Sequence, residues 1–133
     1  MQISSSTMLW AGRIFTTIFA LFMLVASIAP KLAGARVASD TLVQLGWRGD
    51  YALMIGLIEL ACLVLYLMPR TRLLGAVLMM GLLGGAMATQ IRAGSPLFSH
   101  ILFSLYLGLF MWGGLWFRDA TLRAKFPVSK KSD

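Results

Sequence analysis

The chain is poor in charged residues, cysteine and histidine, from which many water-soluble enzymes build their active sites. Charged residues make up only 13% of its 133 residues, about half of the roughly 25% that is usual in soluble domains. A single cysteine, Cys62, excludes an internal disulfide, a Cys-x-x-Cys dithiol and a zinc site built from cysteines. No nucleotide-binding loop and no pair of histidine ligands is present. We therefore expect no metal site, and whether the protein is an enzyme stays open.

Apolar residues are what the sequence has in excess. They make up 59% of the chain, more than a single small domain can bury, so the remainder must face lipid. The net charge of +7 alone would suit nucleic acid, but its distribution matters more than its sum. Five of the twelve cations lie in the last sixteen residues, as a membrane surface selects. The expected partner is a lipid bilayer and not a nucleic acid.

Four apolar stretches approach the length of about 20 residues with which an α-helix crosses a bilayer. They cover approximately residues 10–29, 51–68, 73–91 and 97–117. They are continuously apolar and lack the alternation of barrel strands. The sequence therefore predicts an all-α, integral membrane four-helix bundle. It forms a single transmembrane domain over residues 1–133 with a tail at 118–133, of which 124–133 is solvated.

The basic residues predict the topology of this bundle. Eight cations lie on the side of the termini and four on the other side, which places both termini in the cytoplasm by the positive-inside rule. The first connection is the longest and faces outward. Within it Ser39 or Asp40 can cap a short helix through Leu45, which Gly46 can end. We expect this helix to lie at the interface, over the outer mouth of the bundle.

Glu59 is the residue that a bilayer tolerates least. It lies in the middle of the second stretch, where a charge costs about 2.5–3.5 kcal/mol on insertion scales. Small and polar residues share its helix face, so the side chain should point into the bundle. Two interpretations stay open. Glu59 either forms a structural ion pair with Arg13 or Lys31, or it is a functional carboxylate.

Further polar residues suggest an intramembrane pocket around Glu59, open to the outer side. Helical spacing puts four of them on one stripe of the first helix, while two others lie near the outer ends of the third and fourth helices. These candidates are Arg13, Thr17, Ser27, Lys31, Gln90 and His100. Each cation and His100 also has a plain alternative, because such residues commonly sit at the interface with lipid headgroups.

The third helix carries a stripe of small residues. They are Gly81, Gly84, Gly85 and Ala88. This spacing lets a neighbouring backbone approach closely, as is usual between membrane helices. The sequence therefore predicts a helix-packing face here.

Several of these residues together resemble the DoxX-like family of small bacterial membrane proteins. The resemblance rests on Arg13 and Lys31, on the Gly-x-x-Glu that ends at Glu59, and on the Pro-Arg loop at 69–72. It implies a four-helix bundle in the bacterial inner membrane, in which Arg13, Lys31 and Glu59 match positions that the family keeps polar. Many relatives carry a histidine near the end of the third helix, where this chain has Thr89 and Gln90.

The resemblance also implies a class of function. Relatives have been linked to sulfur-compound oxidation with quinone reduction and to membrane complexes that handle oxidative stress. The first hypothesis is an accessory or redox-associated membrane subunit with a partner protein. The second is a quinone-interacting oxidoreductase subunit, in which Glu59 carries protons beside a small apolar ligand; quinone as a cofactor rests on the resemblance alone. The third is a small proton-coupled transporter, although exporters of this size carry their glutamate in the first helix.

Overall fold

The computed structural model describes residues 4–129, whose regular structure is entirely helical. The helices are α1 (Ser5–Leu32), α2 (Arg36–Gln44), α3 (Tyr51–Leu67), α4 (Arg72–Arg92), α5 (Leu97–Arg118) and α6 (Ala120–Lys125). By length and composition α1, α4 and α5 are each able to cross a membrane. The equally apolar α3 has 17 residues, which is the lower end of the usual range. The prediction of a helical membrane protein is confirmed at this level.

The first helix continues beyond the predicted end at residue 29. It runs through Pro30 to Leu32, and the preceding segment Met23–Ile28 is π-helical. There the amide of Ala29 donates to the carbonyl of Leu24, five residues back. A proline ring clashes with the carbonyl four residues before it, and a π-turn widens the helix at that point. Lys31 therefore belongs to the helix and not to the loop.

The π-turn also changes which side of α1 is buried. Thr16, Phe19 and Met23 are buried at ordinary helical spacing, but the next buried residue is Ile28, five positions further on. The extra residue in the turn rotates the end of the helix relative to its beginning. As a result, the first part of α1 packs on α5, and its last turns pack on α3.

The core lies between the four long helices. Its largest fully buried side chains include Phe19, Tyr66, Met79 and Met111, one from each of these helices. α4 packs between α3 and α5. At Gly75 the approach is so close that a Cβ atom would overlap the backbone of Tyr66 in α3. The chain thus uses glycine where two helix backbones meet.

The first connection contains the expected short helix, α2, although it begins earlier than predicted. It starts at Arg36, because the backbone of Ala35 is extended and breaks it from α1. At its other end Gly46 has a φ of +86°. The amides of Gly46 and Trp47 donate to the carbonyls of Val43 and Leu42, which is a Schellman motif. The predicted role of Gly46 as the end of the helix matches this geometry.

The first part of the segment predicted as a tail is helical, whereas residues 126–129 are exposed and lie in no helix. Arg118 still belongs to α5, and Asp119 caps α6 by accepting from two backbone amides. The ring of Phe126 stacks on Trp112 with centroids 5.2 Å apart, and its carbonyl accepts from Trp116 Nε1. The two aromatic contacts hold α6 against α5. The remainder of the predicted solvated tail, residues 130–133, lies outside the described residues.

Candidate functional site

A hydrogen-bonded triad of Ser27, Lys31 and Glu59 joins α1 to α3. Lys31 Nζ donates to the two carboxylate oxygens of Glu59 over 3.0 and 3.2 Å. Ser27 Oγ lies 2.9 and 3.1 Å from the same oxygens. Lys31 Nζ is also 2.6 Å from Ser27 Oγ. The carboxylate is therefore neutralised by one cation and further stabilised by a hydroxyl.

Two local features of the sequence bring this triad together. Ser27 and Lys31 are four residues apart and so face the same way on α1. Gly56 lies one turn before Glu59, and a Cβ atom there would lie only 2.8 Å from Lys31 Cβ. Because glycine has no side chain, α1 can approach α3 closely enough for Lys31 and Ser27 to reach the carboxylate.

The triad is largely shielded from the surroundings. The side chains of Lys31 and Glu59 are 17% and 11% exposed. In contrast, the other ion pair within residues 4–129, Arg48–Asp50, is 71% and 62% exposed. A charge pair that is removed from water needs good geometry and further hydrogen bonds, and Ser27 provides them. This geometry agrees with the structural interpretation of Glu59 as the ion-pair partner of Lys31.

A cavity of about 890 Å³ lies above the triad. It is lined by the triad and by Trp47 and Tyr51. Glu59 lies eight residues beyond Tyr51 on α3, so its carboxylate lies deeper than the first connection. The walls of the cavity come from α1, α2, α3 and α4 and are mainly apolar. The remaining wall residues include Ala26, Val37, Leu42, Leu45, Met54, Ile55, Leu82 and Ala86. A space of this size with a few polar groups at one end is typical of a small-molecule site.

The small residues of α4 form one wall of this cavity. Gly81 and Gly85 line it, and a Cβ atom at either position would meet nothing within 4 Å. Gly84 is equally unobstructed but points away from the cavity, and Ala88 is exposed. The described chain therefore places no helix against Gly81, Gly84 or Gly85. The packing role predicted for these residues would need another molecule.

The predicted pocket residues fall into two groups. Ser27, Lys31, Glu59 and Gln90 all line the cavity. Gln90 lies near its rim, and Gln90 Oε1 accepts a hydrogen bond from Ser95 Oγ at 2.5 Å. The other three predicted residues do not line it.

Arg13, Thr17 and His100 lie on the outside of the helices. Arg13 is exposed, with its guanidinium carbon 5.4 Å from the centre of the Trp10 ring. Thr17 is exposed next to the buried Thr16. His100 is exposed and shares a hydrogen bond with Ser99. The two residues on α1 miss the pocket because the π-turn rotates the stripe, so Arg13 is not the partner of Glu59.

A second polar cluster, which the sequence reasoning missed, lies at the other end of the bundle. Tyr66 donates its hydroxyl proton to the carbonyl of Met111 over 2.7 Å and lies 3.2 Å from Thr16 Oγ1. Arg118 reaches back from the end of α5, with Nη2 2.9 Å from Thr16 Oγ1 and Nε 3.0 Å from the carbonyl of Gly114. The sequence carries one signal for this cluster, which is Pro30. A proline inside a helix favours a π-turn before it, and the resulting shift in register places Thr16 on the buried face of α1.

The triad can interact with a ligand through hydrogen bonds and through its charged groups. The triad offers an ammonium, a hydroxyl and a carboxylate to the polar end of a ligand. No group of three or more His, Cys, Asp or Glu side chains that could hold a metal ion occurs among residues 4–129.

The fold and the cavity together define a helical membrane protein with a buried Ser–Lys–Glu triad. Residues 14–114 match the DoxX-like family model. The chain belongs to the DoxX-like family, as its sequence motifs suggested. No curated protein and no solved structure matches the chain.

Proposed function

We propose that the protein is a four-helix, multi-pass protein of a bacterial inner membrane, with both termini in the cytoplasm. α1, α3, α4 and α5 cross the bilayer in this arrangement. The short α3 supports it in spite of its length, because Glu59 is its only charged residue and it packs between α4 and the end of α1. α2 then lies at the outer interface. The exposed Arg48–Asp50 pair follows it, as expected for a connection in contact with water.

The cavity binds a small, predominantly apolar ligand that places a polar group against Glu59. The observation that carries this proposal is the cavity of about 890 Å³, whose apolar walls end at the Ser27–Lys31–Glu59 triad. Apolar walls contribute affinity, and a few fixed polar groups orient the ligand. The protein acts in this proposal as an accessory or redox-associated subunit that presents the ligand to a partner in the membrane.

A quinone is the favoured ligand class, which makes a quinone-interacting subunit the second candidate function. A flat apolar ring with carbonyl oxygens matches an apolar cavity that has hydrogen-bond donors at one end. Lys31 Nζ and Ser27 Oγ donate to Glu59 in the structure. In this proposal they turn to the carbonyl oxygen of the ligand, which frees the Glu59 carboxylate to exchange a proton. Proton-coupled transport is a weaker candidate, because small exporters carry their glutamate in the first helix and the first helix of this chain has no carboxylate.

Filling the cavity tests the ligand proposal. Gly85→Leu places a side chain in the cavity, whereas the matched variant Gly84→Leu places it outside, and neither position is obstructed. Both variants should fold, since leucine is a better helix former than glycine. We expect the wild type and Gly84→Leu to bind a short-chain benzoquinone equally and Gly85→Leu to bind at least about tenfold more weakly, because the occupied cavity excludes the ring.

Quenching of tryptophan fluorescence by the quinone measures this binding, since Trp47 lines the cavity. Equal binding by Gly84→Leu and Gly85→Leu would contradict the proposed site. The accessory role has a separate test, which is affinity purification from native membranes. A defined membrane partner should co-purify with the wild type, and a protein that always purifies alone argues against this role.

A further inference from the structure

The arginines at the end of the bundle opposite to the cavity are the second notable polar feature. Arg72 begins α4 and Arg118 ends α5. Arg72 and Arg13 are close enough to the Arg118 guanidinium to repel it electrostatically. Three cations are thus gathered near one end of three helices, in addition to the hydroxyls of Tyr66 and Thr16.

No carboxylate within residues 4–129 neutralises these cations. The ion pairs of this part of the chain are Lys31–Glu59 and Arg48–Asp50, and neither includes one of the three arginines. Asp119 is next to Arg118 in sequence, but its Oδ1 accepts from the backbone amides of Thr121 and Leu122. Among residues 4–129, the one acidic residue of this end therefore caps α6.

Arg72 also has an unsatisfied donor. Its Nε is buried and has no hydrogen-bond partner in the structure. An unpaired buried donor on a charged group costs more than one on a neutral group. The Nε of Arg118, in contrast, donates to the carbonyl of Gly114. Arg72 therefore lacks the acceptor that its burial requires.

Close packing holds Arg118 inward rather than towards solvent. The side chain crosses α1 at Gly12, where a Cβ atom would overlap its Cγ. Gly114 leaves room in the same way for Thr16 and Tyr66. Two glycines thus let the arginine lie across the helix interface, where it forms no salt bridge with a carboxylate of residues 4–129.

We propose that Arg72 and Arg118, with Arg13 beside them, form a binding site for a phosphate group. A phosphate offers several oxygen acceptors and a negative charge, which guanidinium groups bind in a forked geometry. Basic pockets between membrane helices near the bilayer surface bind the headgroups of anionic lipids. The same chemistry would accept inorganic phosphate. This site is independent of the cavity and of the function proposed for it.

The test uses the full-length protein in dodecyl maltoside, which carries no phosphate. Phosphatidylglycerol and inorganic phosphate are titrated separately, and native mass spectrometry and the shift of the thermal unfolding midpoint report binding. The variant is Arg72→Gln. The matched control is Arg70→Gln, which removes an exposed arginine two residues away. If Arg72→Gln does not fold, Arg118→Gln takes its place.

We expect Arg72→Gln to bind about tenfold more weakly than the wild type, since it loses a charge-assisted hydrogen bond. Arg70→Gln and Gly85→Leu should bind like the wild type. Binding of phosphatidylglycerol alone identifies a lipid headgroup as the ligand, and binding of inorganic phosphate with the same dependence on Arg72 identifies free phosphate. Equal binding by the Arg72 and Arg70 variants, or no binding of either probe to the wild type, would overturn the proposal.

Discussion

Gly56 of α3 lies directly against Lys31 of α1, so that a Cβ atom at position 56 would come within 2.8 Å of Lys31 Cβ. One helical turn further on, Lys31 Nζ is 3.0 Å from Glu59 Oε1. The approach of the two helices and the buried ion pair are therefore parts of one arrangement. It depends on glycine at position 56, because the atom that an added Cβ would overlap is Lys31 Cβ. This atom is fixed to the backbone and cannot move aside as the flexible end of the side chain could.

Gly56→Leu should separate the end of α1 from α3. The added side chain overlaps Lys31 and Leu32, and overpacking of this kind costs about 1–3 kcal/mol. The free energy of unfolding, measured by denaturation in mixed micelles, should fall by that amount. Gly81→Leu is the control, because a Cβ atom there meets nothing within 4 Å. Similar losses in the two variants would show that the contact with Lys31 is not what matters.

Lys31→Met should be destabilising on its own and much less so in combination with Glu59→Gln. The single variant leaves the carboxylate with Ser27 as its main partner, and breaking a buried pair by removing one partner costs about 3–5 kcal/mol. The double variant removes both charges and should recover most of that loss. A double-mutant cycle on the free energy of unfolding measures the coupling. Additive effects of the two substitutions on the free energy of unfolding would contradict this prediction.

Tyr66→Phe should lower the free energy of unfolding by about 1 kcal/mol, which is typical of a lost hydrogen bond between membrane helices. The substitution removes the donor to the carbonyl of Met111 and the contact with Thr16. Tyr106→Phe serves as the control, since Tyr106 is 37% exposed and Tyr66 is fully buried. If both variants unfold like the wild type, the second polar cluster contributes nothing to stability.

Single cysteines should reveal whether α3 crosses the membrane. Cys62 is buried and unpaired, so Cys62→Ala provides a background without cysteine. In that background an impermeant maleimide should label Asp40→Cys and Ala93→Cys in intact cells, but Arg70→Cys only after the cells are opened. If α3 did not cross, Asp40→Cys and Arg70→Cys would be labelled from the same side. Labelling of Asp40→Cys and Arg70→Cys from the same side would therefore contradict the four-helix topology.

The sequence predicted Glu59 as the centre of a polar site for a reason that does not depend on the fold. A carboxylate inside a long apolar helix is expensive in lipid wherever it points, so it needs a partner. Helical spacing also placed Ser27 and Lys31 on a common face of the first helix. These three residues do meet in the structure.

The same spacing failed for Arg13 and Thr17. It assumes that the helix keeps 3.6 residues per turn, whereas the π-turn before Pro30 adds a residue and rotates the two halves of α1. Thr16 is then buried and Thr17 is exposed. The second polar cluster was missed for this reason, and also because Arg118 was assigned to the tail and not to a helix.

Composition thus determined that the chain belongs in a membrane, because its apolar residues exceed what a small soluble domain can bury. The length and continuity of its apolar stretches determined that it is helical. The register and end of α1, the contact of Gly56 with Lys31, and the cavity beside Gly81 and Gly85 were decided only by the tertiary structure. Burial cost is a property of each residue and can be read from the sequence. Which side chains share a space depends on how the helices are rotated and how closely they approach, and this is fixed only when all of them pack together.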